Sequence, residues 1–225
     1  MTPSVSPLAQ AVVLARKDLS VDRRTGEVFG VVAPFGAVAL FLVPLGVGAE
    51  TALLTAVGPA LFWLIVLLFG VHVTMRGGAV DSPAHRALLL LSGVTPRVRL
   101  AGRALGNTAL LLAFQLVIAP VAIVLYAPDL GGWPWLLPMV VLVAAGLGTL
   151  GAFADLVSEG LAGRTTLGPL LVTPITVPLL LGAVGVIDAT RYERPAWPWL
   201  VLVLAVDLAI ALSAAWCVRH LEDQT

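Results

Sequence analysis

Asp207 is the residue whose chemistry most needs a reason. It is the one charge in residues 196–218, and an acid at the centre of an apolar helix costs about 2.5–3.5 kcal/mol on insertion into lipid. Such a group either relays protons or sits neutral inside hydrogen bonds. No second acid or base stands at comparable depth, which favours the structural role, with Asn107, Gln115 and Thr176 as the partners on offer. Asp155, Glu159 and Arg164 form a second polar group earlier in the chain; it reads as a solvated turn or as a gate, and the turn is the simpler of the two.

Other chemistries are excluded by residue type. A phosphate-binding loop needs Gly-Lys followed by Ser or Thr, because the lysine reaches the terminal phosphates of the nucleotide. The single lysine, Lys17, follows Arg16, so the chain has no such loop. GLGTLG, residues 146–151, fits the dinucleotide pattern by letter but lies within an apolar run with no strand before it. Small-residue helix packing accounts for it better, since Ala144, Gly148 and Ala152 recur every four residues and let two backbones approach. The one cysteine, Cys217, permits neither an internal disulfide nor a multi-cysteine metal site. His72, His85 and His220 form no His-Glu-x-x-His pattern, and no nucleophile stands with a base.

The elements that must position these residues are membrane helices. Of 225 residues, 59% are hydrophobic and 12% charged, about half the charged share of a soluble domain. The net charge of zero gives no global pull toward nucleic acid. Residues 28–48, 52–71, 104–128, 131–154, 165–187 and 196–218 are six apolar runs, each near the ~20 residues needed to cross ~30 Å of hydrocarbon. Backbone groups in lipid must be satisfied within the segment, so the fold class is an all-α membrane bundle of six transmembrane helices in one domain, with internal Pro and Gly as kinks. Arg23 and Arg24 before the first run invite comparison with a twin-arginine export signal, but five further spans favour an uncleaved helix.

Charge sets the orientation. With the N-terminus inside, Arg16, Lys17, Arg23, Arg24, Arg76, Arg86, Arg97, Arg99, Arg103, Arg164 and Arg219 are cytoplasmic, and only Arg191 and Arg194 are external. That bias places both termini in the cytoplasm. Tyr126, Trp133, Trp135, Trp197 and Trp199 then fall near outer helix ends, where amphipathic rings prefer the interface. Residues 7–24 place Leu8, Val12, Ala15 and Leu19 at helical spacing, which predicts an interfacial amphipathic helix, with a short solvated leader as the alternative.

DSPAHRALLLLSGVTPRVRLAGR, residues 81–103, is the most polar long stretch between two such runs. Ser82 can cap a helix with Pro83 at its first position, and Gly93 followed by Pro96 ends it. The resulting helix, 83–92, is ~15 Å long, too short to span. Ala84, Ala87, Leu88 and Leu91 make an apolar stripe, with His85, Arg86 and Ser92 elsewhere. It either lies on lipid or docks in the groove of a soluble partner.

Three segments carry a family resemblance. LARKDLSVDRRTGEV (14–28), ALLLLSGVTPRVRLAGRALGN (87–107) and LGPLLVTPITVPLLLGAV (167–184) are similar to the amphipathic start, the leucine run with its Pro turn, and the proline-paired fifth helix of the CcmB family, the haem exporter permease of cytochrome c maturation. Pro174 and Pro178 match the pair. The chain departs from the family in His85 and Arg86 before the leucine run and in Arg103 where a lysine is common.

The resemblance implies an ABC transporter permease of the bacterial inner membrane. It implies self-dimerisation, a separate ATPase subunit, partner cytochrome c maturation membrane proteins and a periplasmic haem chaperone. Ala84, His85, Arg86, Ala87, Leu88 and Leu91 then become the coupling surface to the ATPase, and Asn107, Gln115, Asp155, Pro174, Pro178 and Asp207 the candidates for a path. The expectation is no catalytic residue, no metal and no resident cofactor, with haem as cargo. Haem iron takes His, Met, Cys or Tyr; near the outer side stand only Tyr126, Met139 and Tyr192, so a bis-histidine haem site on this subunit is not expected. An ABC permease for another substrate, and a proton-coupled secondary transporter built on Asp207, are the alternatives.

Overall fold

The computed structural model describes residues 6–48, 50–74, 94–128, 131–160 and 167–222. All regular structure among them is helical: α1 Pro7–Thr25, a π-helical turn Val28–Val32 running into α2 Ala33–Val47, α3 Thr51–Thr74, α4 Pro96–Tyr126, α5 Trp133–Gly160, α6 Leu167–Arg191 and α7 Trp197–Glu222. Among the described residues six segments are long and apolar enough to cross a membrane: Val28–Gly46, Thr51–Thr74, Pro96–Tyr126, Trp133–Val157, Pro174–Arg191 and Trp197–His220.

Local chemistry sets the helix ends. Ser6 caps α1 by accepting from the Ala9 N–H at 3.3 Å, with Pro7 at the first position. Gly26, at φ 64°, ends it in the left-handed conformation that glycine adopts without strain, and its N–H bonds the Asp22 carbonyl. Asp22 is 2% exposed, and its Oδ1 accepts from the Val28 N–H at 3.3 Å. One carboxylate thus joins α1 to the start of the first span.

The Thr95 hydroxyl caps α4 and Pro96 occupies its first position. Pro96 thus opens α4. That helix begins eight residues before the apolar run at 104 and takes in Arg97, Arg99 and Arg103. Apolarity marks only the part of a helix that lipid surrounds; the polar first turns carry no such mark. Helix 83–92 lies outside the described residues.

α4 is the hub. It packs along α5 and carries α1, α2 and α3 on its other sides, while α5 is flanked by α6 and α7. Trp63, Leu111, Phe114, Ile118, Met139, Leu147 and Leu179 fill the interior. Phe35, Leu45, Leu68, Leu116 and Leu212 point outward, as large apolar residues do where lipid is the solvent.

α1 packs on α4 by a narrow face. Its buried residues are Ala11, Ala15 and Asp22, whereas Leu8 and Val12 are exposed. The reason is Gly102-Arg-Ala-Leu-Gly106 on α4. A Cβ on Gly102 would lie 2.8 Å from Leu14 Cβ and 3.1 Å from the Ala11 carbonyl, so the two backbones meet through their smallest residues. Close approach, not side-chain hydrophobicity, selects the face that α1 turns inward.

Candidate functional site

The polar residues gather at three levels, and the end of the bundle against which α1 packs is the richest. Arg103, on the second turn of α4, donates from Nη1 to Asp155 Oδ2 of α5 at 3.1 Å, with side chains 13% and 6% exposed. One turn on, Asn107 donates from Nδ2 to the carbonyls of Thr74 at 3.5 Å and Gly148 at 3.3 Å. Thr74 lies in the last described turn of α3, and Asn107 reaches its carbonyl from α4. The Thr74 side chain packs where a Cβ on Gly151 would fall. Arg103 and Asn107 therefore lock α3, α4 and α5 together at this end.

One expectation is corrected at this end, that of Asp155 in a solvated turn. Asp155 is buried and its partner is Arg103, 52 residues earlier in the chain. Arg103 and Asp155 are distant in sequence, and they meet because α5 continues as helix through Asp155, which turns it toward α4. The Glu159 side chain and Arg164 lie outside the described residues.

At mid-membrane, Gln115 is 1% exposed and neither amide atom has a hydrogen-bond partner among the described residues. Both carboxylate oxygens of Asp207 are likewise buried without a partner there. The carboxyl lies directly against Gly146, whose missing side chain makes the room. The hydrogen bonds expected from Asp207 to Asn107, Gln115 or Thr176 do not form. Asn107 is engaged with Thr74 and Gly148, and α5 holds Asp207 against Gly146.

GLGTLG is a packing device with three outlets. Gly146 faces Asp207 of α7, Gly148 faces Thr108 and the Ala104 carbonyl of α4, and Gly151 faces Thr74 of α3. Ala144 and Ala152 are buried beside them. Pro174 is exposed and Pro178 half-buried within α6, which runs on as helix through both.

At the opposite end, Tyr126 is 1% exposed and donates its hydroxyl to the Leu40 carbonyl at 2.6 Å. That carbonyl lacks its helical donor because Pro44, four residues on, has no N–H. Thr55 Oγ1 in turn donates to the Tyr126 carbonyl at 3.2 Å, tying α2, α3 and α4 together. Met139 is fully buried, and Tyr192 is exposed with the Arg194 guanidinium 5.7 Å from its ring centroid.

No sequence signal points to the Tyr126–Leu40 bond. Pro44 flags an orphaned carbonyl, but only the fold says which donor reaches it. Asp22 also escapes a reading of the sequence, where it is one more charge in a polar stretch. Ala84, His85, Arg86, Ala87, Leu88 and Leu91 lie outside the described residues.

Six membrane-length helices around a buried polar frame define a multi-pass α-helical membrane protein. Comparison with known proteins gives its family: residues 9–220 match the CcmB protein family, and the chain belongs to it. Among its relatives, Heme exporter protein B of Paracoccus denitrificans (strain Pd 1222) is 33% identical over 207 residues, covering 88% of this chain and 93% of the relative. The Heme exporter protein B of Pseudomonas aeruginosa is 30% identical over 215 residues, 90% of this chain and 91% of the relative. That of Rhodobacter capsulatus is 28% identical over 169 residues, 75% and 78% of the two chains.

Proposed function

We propose that this chain is the membrane permease subunit of an ABC-type haem export system serving cytochrome c maturation, driven by ATP hydrolysis on a separate subunit. The observation that carries the reading is the family match over residues 9–220, with relatives named Heme exporter protein B along most of their length. The subunit is a transporter component, not an enzyme. The sequence supports this division of labour, since its one lysine does not stand in a phosphate-binding loop.

In this reading the segment around Ala84, His85, Arg86, Ala87, Leu88 and Leu91 docks in a groove of the ATPase. Its push enters the bundle where Thr74 ends α3, and the Asn107 and Arg103–Asp155 contacts spread it to α4 and α5. Two copies assemble with the ATPase and the other maturation proteins, and haem, as cargo or as the ligand of a released chaperone, is the species handled. No resident cofactor is assigned to this chain. The inner membrane is its location, and the eleven basic residues named above lie on the cytoplasmic side with both termini. The helix Pro7–Thr25, with Leu8 and Val12 exposed, lies along that inner surface.

The test is co-purification from membranes followed by ATPase assay. The complex should hydrolyse ATP faster than the ATPase alone, and L88D/L91D should abolish that stimulation and cytochrome c maturation together. ATP hydrolysis by this subunit alone, or full activity of L88D/L91D, overturns the reading.

A second reading is favoured by one observation, the unpartnered carboxylate of Asp207: a proton-coupled transporter. D207N separates the two, as set out below.

A further inference from the structure

At the outer end of the bundle the first turns of α3, the turn before α5 and the last turns of α6 enclose a cavity of about 160 Å³. Its lower wall is apolar, with Pro59, Val184 and Ile187. Its rim carries Asp188 and Arg191, one turn apart on α6. Side chains three apart on a helix share a face, with Cβ atoms about 5–6 Å from each other. The two opposite charges are nonetheless not joined: among the described residues neither makes an ion pair.

Two backbone groups on the same walls also lack their usual partners. Pro59 has no N–H, so the Thr55 carbonyl loses its helical donor. Gly132 lies in the turn before α5, and its N–H has no acceptor among the described residues. A Cβ there would strike Thr190, so this backbone comes as close to α6 as only glycine allows. The cavity thus presents a carboxylate and a carbonyl as acceptors, a guanidinium and an N–H as donors, and an apolar floor. Trp133, Trp135 and Trp197 stand exposed at the neighbouring helix ends, the level at which indole rings mark the headgroup region.

We propose that this cavity binds a phosphoethanolamine zwitterion, its ammonium held by Asp188 and the Thr55 carbonyl and its phosphate by Arg191 and the Gly132 N–H. The ammonium has three donors to give and the phosphate only acceptors, so each end finds its complement. The two-carbon link between them matches two side chains one helical turn apart. An anionic glycerol headgroup would leave Asp188 facing no cation, and a choline headgroup has no N–H to donate. The source is either an outer-leaflet phospholipid or the free zwitterion. The assignment does not depend on what the permease carries.

The test uses the full-length protein in detergent and native mass spectrometry with dioleoyl phosphatidylethanolamine, phosphatidylglycerol and phosphatidylcholine. Phosphatidylethanolamine should bind about tenfold more tightly than either of the others, the factor given by ~1.4 kcal/mol. D188N should abolish that preference, and R191Q should weaken phosphatidylethanolamine and phosphatidylglycerol alike by about tenfold. A56F, which fills the cavity from α3 and leaves both charges in place, should remove binding if the charge variants fold poorly. O-phosphoethanolamine that displaces the lipid identifies the headgroup as the sufficient ligand; displacement only by intact phospholipid identifies the bilayer as the source. Equal binding of phosphatidylethanolamine and phosphatidylglycerol to the wild type, or unchanged selectivity in D188N and A56F, overturns the proposal.

Discussion

The bond from Tyr126 to the Leu40 carbonyl can be tested by removing its cause as well as the bond itself. Y126F deletes one hydroxyl and keeps the ring that packs on Gly58. The Leu40 carbonyl then loses the Tyr126 donor, and Pro44 has already removed the helical one. The hydroxyl oxygen sits 2.6 Å from its acceptor on a residue 1% exposed, so water does not substitute. An orphaned buried carbonyl costs about 1–3 kcal/mol. For a chain of this size each kcal/mol moves the melting midpoint by about 2–4 °C, so a loss of about 2 kcal/mol is a drop of about 4–8 °C. P44A restores an N–H four residues after Leu40, and in that background Y126F should cost at least about 1 kcal/mol less, a coupling well above the additivity error. Thermal unfolding of the four proteins in one detergent, followed by size-exclusion fluorescence, gives the cycle. An equal drop for Y126F in the wild-type and P44A backgrounds would refute the account, since the two positions would then share nothing but proximity.

Three further outcomes can be measured on the same material. D155L or R103L alone should destabilise by about 3–5 kcal/mol, because each removes one side of a largely buried ion pair, while R103L/D155L should recover most of it; additive losses would show that the pair at 3.1 Å is not an energetic unit. G148A places a Cβ 2.5 Å from Thr108 Oγ1 and 2.8 Å from its backbone nitrogen, a clash a backbone cannot relieve, and should cost about 1–3 kcal/mol. G30A meets nothing within 4 Å and should be neutral or gain about 0.4–1 kcal/mol; equal melting of the two variants would deny that Gly148 sets the α4–α5 distance. D207N should leave ATP-driven maturation working and insensitive to a protonophore in vesicles. Its loss, together with uncoupler sensitivity of the wild type, would favour proton coupling.

What the sequence settled by itself is the number and nature of the spans. Lipid offers a backbone no hydrogen bonds, so each crossing must be a helix of about 20 apolar residues, a condition met or failed within a segment. The same locality made GLGTLG legible as packing, because a glycine pattern without a strand before it cannot form the nucleotide turn. Tertiary structure decided which way each helix is rotated. Hydropathy falls silent once a helix is apolar all round, and interior and lipid-facing residues then look alike. Rotation was set by close approach: Ala11 and Ala15 against Gly102 and Gly106, Asp207 against Gly146, Thr74 against Gly151. Those choices brought Arg103 to Asp155 and Asn107 to Thr74, pairs separated by 52 and 33 residues, and left Asp207 beside a glycine instead of an amide. A charge's partner is fixed by the face its helix presents, and that face is chosen by the neighbouring helices, which no local stretch of sequence encodes.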